Sequence, residues 1–137
     1  MTEKHHLLND VQFEEKFQKC TLPPVLFTHE AHLRLAYIHV TKYGLKKAIN
    51  NLCVQISDFE RKFGDGRKYN KTITVAAIKV IHHFIGQSNK IDFKNLLKEY
   101  PRLKSNFKTL IKKHYSLNIF IDKTAKHQFL EPDLLPF

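Results

Sequence analysis

Two histidines spaced for one helix face, with an arginine beside them, are the first residues in this chain that suggest chemistry. In the stretch THEAHLRLAYIHVTKYG, from Thr28 to Gly44, His29 and His32 stand three residues apart. At about 100° per residue the two imidazoles share a face and can approach one divalent metal ion or one ligand. His29-Glu30-Ala31-His32 is one residue short of the HExxH zinc motif, so a zincin active site is not expected. His29, His32 and Glu30 could still form part of a two-histidine, one-carboxylate site, although Glu30 falls about 100° from His29. His39 and Tyr43 continue the same stripe. Arg34 points away from it, and a guanidinium on an enclosed helix needs a carboxylate, an anion or a route to water.

A second polar group, Tyr69, Asn70 and Thr72, lies at the start of a later helix. His29, His32 and Arg34 near one helix N-terminus and Tyr69, Asn70 and Thr72 near another would together line a pocket for a small anionic or polar molecule. Unsatisfied N–H groups and the helix dipole favour an anion at such ends. The plainer alternative is that these groups cap two helices and need no ligand. A metal-dependent enzyme using His29 and His32 is another reading. A basic nucleic-acid module is a further one, with Arg61, Lys62, Arg67, Lys68 and Lys71 around a glycine loop and Tyr69 for stacking.

Other chemistries find no support. Cys20 and Cys53 are not in a CxxC pair, no serine lies in a nucleophile elbow, and Gly64-Asp65-Gly66 follows a helix where a phosphate loop would follow a strand. No organic cofactor is indicated.

The elements that must position these residues are helices. Thr28 is a good N-cap and Gly44 a good helix stop, and the apolar residues between them run nearly all round the axis, the pattern of a helix enclosed by neighbours. Leu45 to Phe63 repeats apolar residues at i, i+3, i+4 and i+7, which makes it a second helix, antiparallel to the first across the short link. An earlier helix from Asn9 or Asp10 offers Val11, Phe13, Phe17 and Cys20 for burial and stops before Pro23-Pro24. Asn70, Asp92 and Asp122 are further N-caps, and Ser105 is expected to begin another helix. Phe27 is placed to act as a hydrophobic staple against Leu33 or a residue near it.

The composition agrees: 137 residues, 42% apolar with 11 phenylalanines, and four glycines. The spacing and composition predict an all-α fold, a single-domain irregular bundle of five or six helices. Residues 1–8, with His5 and His6, are expected to be flexible. Residues 130–137, with two prolines among large apolar side chains, are expected to form a non-helical tail docked on the domain. Lys+Arg 23 against Asp+Glu 13 gives a net charge of +10, a surface that attracts polyanions. No apolar run reaches the ~18 residues of a membrane span and MTEKHHLLND has no signal-peptide core, so a cytoplasmic protein without a membrane partner is expected.

At HEAHLRLA, YNKTIT and EPDLLP the chain resembles a group of uncharacterised small bacterial helical proteins. These share His-x-x-His-Leu-Arg, Tyr-His-x-Thr-hydrophobic-Thr and a closing Pro-Asp-Leu-x-Pro in that order. The resemblance runs from Phe27 to the C-terminus and implies a shared fold and a shared site, with no activity attached. Asn70 stands where the pattern has histidine, and an amide is a poor transition-metal ligand.

Overall fold

Helix boundaries follow the caps that the sequence supplies. In the computed structural model the described residues are 2–88 and 92–137. Among them are eight α-helices and no strand: α1 Asp10–Gln18, α2 His29–Tyr43, α3 Leu45–Phe63, α4 Lys71–Gln87, α5 Phe93–Glu99, α6 Arg102–Ser105, α7 Phe107–Lys112 and α8 Lys123–His127. Five of these have seven residues or more, so the all-α expectation holds, with α6 to α8 added as short turns. Asn9, Thr28, Asn70, Asp92 and Asp122 each accept a backbone N–H three residues on. Each removes one orphan donor from a helix start. The chain divides into two compact units, 1–69 and 70–137.

In the first unit α2 is the enclosed element, with every residue from Leu33 to Val40 buried. It pairs with α3 through Gly44, whose φ of 85° is accessible to glycine without a Cβ penalty. A contact between His39, five residues before Gly44, and Asn51, seven after it, gives the antiparallel sense. α1 presents Phe13 and Phe17, four residues apart, to the interior, and Val11 is exposed, contrary to expectation, because a nine-residue helix buries one narrow face. Phe27 packs on the His32 ring in the first turn of α2 at 5.1 Å, close to the expected staple, and also on Phe17 and Phe59 with ring centroids 4.6 and 5.1 Å away. At the far end of α2, the buried Glu14 accepts from Lys42 at 2.8 Å and from the Tyr43 hydroxyl.

In the second unit α4 is the buried helix, and α8 packs on it. The helix expected from Ser105 forms as α7, but it begins at Phe107, and Ser105 ends α6 instead of capping α7. The backbone breaks at Asn106 (φ −139°, ψ 32°), separating α6 from α7, and the Ser105 hydroxyl donates back to the Pro101 carbonyl at 3.0 Å. The tail beyond α8 is non-helical and bonded along its length. Thr72, fully buried, donates to the Gln128 carbonyl at 2.9 Å and accepts from the Leu130 N–H at 3.1 Å. The Tyr115 hydroxyl donates to the Leu130 carbonyl at 2.7 Å, and the Leu134 N–H donates to the His114 carbonyl at 3.0 Å.

Thr72→Val keeps the shape and removes both bonds, leaving the Gln128 carbonyl and the Leu130 N–H without that partner. It should cost about 1–3 kcal/mol in urea unfolding and should speed proteolytic cleavage within residues 128–137. A variant as stable and as resistant as the parent would show that the tail does not depend on this clamp.

Candidate functional site

Glu30, in the first turn of α2, is buried, and a carboxylate in that position is favoured by the helix dipole. The groups that meet it come from the first residues of the chain. Lys4–Leu7 form a 3-10 turn that brings two imidazoles to Glu30, although the sequence suggests a loose leader there. His5 Nε2 lies 2.7 Å and His6 Nε2 3.1 Å from Glu30 Oε2. The His5 ring is 1% exposed and sits beside the Phe13 ring. Glu3 joins the rim: its Oε1 is 3.5 Å from His5 Nε2 and accepts the Thr28 hydroxyl. The Thr28 oxygen also accepts from the Ala31 N–H, so one side chain both caps α2 and holds Glu3.

Arg34, one turn beyond Glu30 on the same face of α2, locks the leader in place. Its guanidinium donates to the His5 carbonyl and the Leu8 carbonyl at 2.8 Å each, and to Asp10 Oδ1 through Nη2 at 2.8 Å and Nε at 3.2 Å. It also lies over the Phe13 ring at 4.7 Å. The need for a carboxylate, anticipated from the sequence, is met inside the unit by Asp10.

This geometry settles a tautomer. Arg34 Nη1 is 3.3 Å from His5 Nδ1, and a guanidinium can only donate, so Nδ1 is the acceptor. The ring proton is therefore on Nε2, donated to Glu30. Burial holds the His5 imidazole below its ordinary pKa, against the upward pull of Glu30. His6 is lowered too, by burial first and then by His5. Both rings are thus neutral at pH 7, the state a metal ion requires.

The three ligand atoms of His5, His6 and Glu30 lie within 4.8 Å of one another. Ligands around a tetrahedral ion at about 2.0–2.1 Å stand roughly 3.4 Å apart, so small side-chain movements would bring these into a coordination shell.

The residues singled out from the sequence go to different places. His29 is on the exposed side of α2, whereas His32 is half-buried with its ring on Phe27 at 5.1 Å. Burial, with His29 nearby, pushes His32 down to about 4. Among the described residues no third His, Cys, Asp or Glu joins these two in a ligand set. His39, on the same stripe, is fully buried against Tyr43. Exposure therefore falls along the stripe, from His29 in water to His39 in the core.

Tyr69 belongs to the first unit, where burial and then a hydrogen bond with Cys53 raise its phenol pKa. Asn70 and Thr72 belong to the second. Asn70 caps α4 through Oδ1 and donates through Nδ2 to the Ile119 carbonyl at 2.9 Å, and Thr72 clamps the tail. Around the glycine loop, Arg61 pairs with Asp58, Arg67 with Asp65, and Lys62 donates to the Cys20 carbonyl.

His5 and His6 escape a reading that looks for helix-spaced ligands. The available signal was Glu30 and Arg34 at i, i+4 on a helix whose apolar residues run nearly all round its axis, two charges that require polar partners from another segment. No family model, curated protein or solved structure matches the chain.

Two outcomes follow. Arg34→Met should cost about 2–3 kcal/mol by chemical denaturation at pH 7, less than a fully buried pair would because the Asp10 side chain remains in water. A group whose pKa is depressed by folding binds its proton more readily when unfolded, so His32 removes stability as pH falls from 6.5 towards 4. His32→Phe should flatten that part of the stability profile and leave stability at pH 7.5 nearly unchanged; an identical acid limb would assign the loss to other groups.

Proposed function

We propose that the protein binds a divalent first-row metal ion through His5 Nε2, His6 Nε2 and the Glu30 carboxylate, with coordination positions left for a small anionic or polar ligand. The observation that carries this reading is the approach of those three ligand atoms to within 4.8 Å. Two imidazoles and one carboxylate suit zinc, iron or manganese.

Charge supports it. Glu3, Glu30 and Asp10 set three carboxylates against the Arg34 guanidinium, a formal surplus of two negative charges for a dication. Desolvated, neutral imidazoles offer little proton competition near pH 7. A metal on His5 Nε2 displaces the proton now given to Glu30. That proton moves to Nδ1, where it faces Arg34; the 3.3 Å contact there is the longest that the guanidinium makes, and it is the one to yield. Binding to the neutral rings should release no net proton near pH 7 and should weaken only at lower pH, where the imidazoles take up protons. A coordinated water in an open position would be acidified by the ion, and a small anion could replace it.

The test is calorimetric titration of chelator-treated protein with Zn2+ and with Co2+, followed by thermal unfolding. One ion per chain is expected, with about 2.7 kcal/mol of added stability at 100 times the dissociation constant. His6→Ala and Glu30→Gln should each weaken binding about 10-fold or more, while His29→Ala should not. No binding by the parent protein, or binding untouched by the first two substitutions, overturns the proposal.

A further inference from the structure

The second unit carries lysines and exposed aliphatic side chains on segments that are bonded to one another. On α7, Lys108 and Lys112 are four residues apart and so share a face, and Lys113 follows. All three are exposed, and among the described residues none of them makes an ion pair; Lys108 lies over the half-buried Phe120 ring at 5.3 Å. Beside them the C-terminal tail is fastened to the segment that leaves α7. The Leu134 N–H donates to the His114 carbonyl at 3.0 Å, His114 Nδ1 donates to the Leu135 carbonyl at 2.8 Å, and the Ser116 N–H donates to Asp133 at 2.9 Å.

These bonds hold a group of aliphatic side chains in water. Leu117 is 46% exposed, Ile121 79%, Leu134 56% and Leu135 52%. A single exposed leucine needs no explanation, but four large aliphatics on one set of joined segments do. The carboxylate among them, Asp133, is held below its ordinary pKa by the Ser116 hydroxyl and N–H, and it faces that residue.

We propose that this face, formed by Lys108, Lys112, Lys113, Leu117, Leu134 and Leu135 with Ile121 at its edge, docks on an anionic lipid surface. Unpaired ammonium groups match acidic headgroups, and aliphatic side chains next to them match the boundary where headgroups meet acyl chains. Nucleic acid would use the lysines but would leave the aliphatics in water, since bases are gripped by exposed aromatic faces. That no helix of the described residues is long and apolar enough to cross a membrane bears on spanning, not on surface attachment. This inference is independent of the metal site, which lies in the other unit.

The experiment is sedimentation of the full chain with vesicles of phosphatidylcholine alone and with vesicles rich in phosphatidylglycerol, whose anionic headgroups give the surface a negative potential. Binding is expected to the second and not to the first. Lys112→Glu with Lys113→Glu should lower the partition by about 20-fold or more. Leu134→Ser with Leu135→Ser should lower it by about 10-fold. Both double variants replace exposed side chains and should melt with the parent, and melting curves check that they do. Failure to bind anionic vesicles overturns the proposal. So does a leucine variant that binds as well as the parent, because the surface would then be a polyanion site of the kind nucleic acid fills.

Discussion

Arg34 carries a full positive charge on a helix that packing has almost closed to water, and the arrangement of the first unit answers it. A guanidinium has five N–H donors and no acceptor, so burying it demands oxygen atoms from several directions. They come from Asp10 at the start of α1 and from the His5 and Leu8 carbonyls of the leader. Meeting that demand determines where the first residues of the chain must run. Once they lie across the start of α2, His5 and His6 reach Glu30, and Phe13 slides under the guanidinium. The candidate metal centre is thus a consequence of solving a burial problem.

The same logic gives the chemistry its bias. Arg34 faces one nitrogen of His5 and thereby sets the tautomer, so the other nitrogen points its proton at Glu30. Burial keeps the rings neutral, and Thr28 steadies the neighbouring Glu3. His5 is oriented from outside the cluster by Arg34, a second layer of support of the kind that fixes ligands, although in this tautomer its Nε2 carries the proton that a metal would displace. By contrast, the histidine stripe of His29, His32 and His39 shares a face of α2 and runs from water into the core.

In the second unit, the polar residues that resemble a site turn out to organise the chain end. Asn70 and Thr72 hold the Ile119 carbonyl and the Gln128 to Leu130 backbone, so the start of α4 is the anchor for the tail. Anchoring has a side effect. Pinning Leu134 and Leu135 through their backbone groups to His114, with the prolines preventing a helix, leaves their side chains exposed.

Much of the fold was legible in the residues themselves. Thr28, Gly44, Asn70, Asp92 and Asp122 mark helix ends because capping is local chemistry, satisfied within three or four residues. The apolar periodicity of Leu45 to Phe63 marks α3 for the same reason, and the enclosed character of α2 follows from its all-round apolar pattern. The need of Arg34 for a partner was also evident, since the cost of burying a charge does not depend on the fold. Which partner it found was not. Asp10 lies 24 residues away, and His5 lies 25 residues from Glu30; nothing in local spacing links them. Tertiary structure decided those pairings, along with the break at Asn106, the bond from Asn70 to the Ile119 carbonyl and the use of Thr72 as a tail clamp. Long-range hydrogen bonds are chosen by which segments packing brings together, and the sequence states only that some partner must exist.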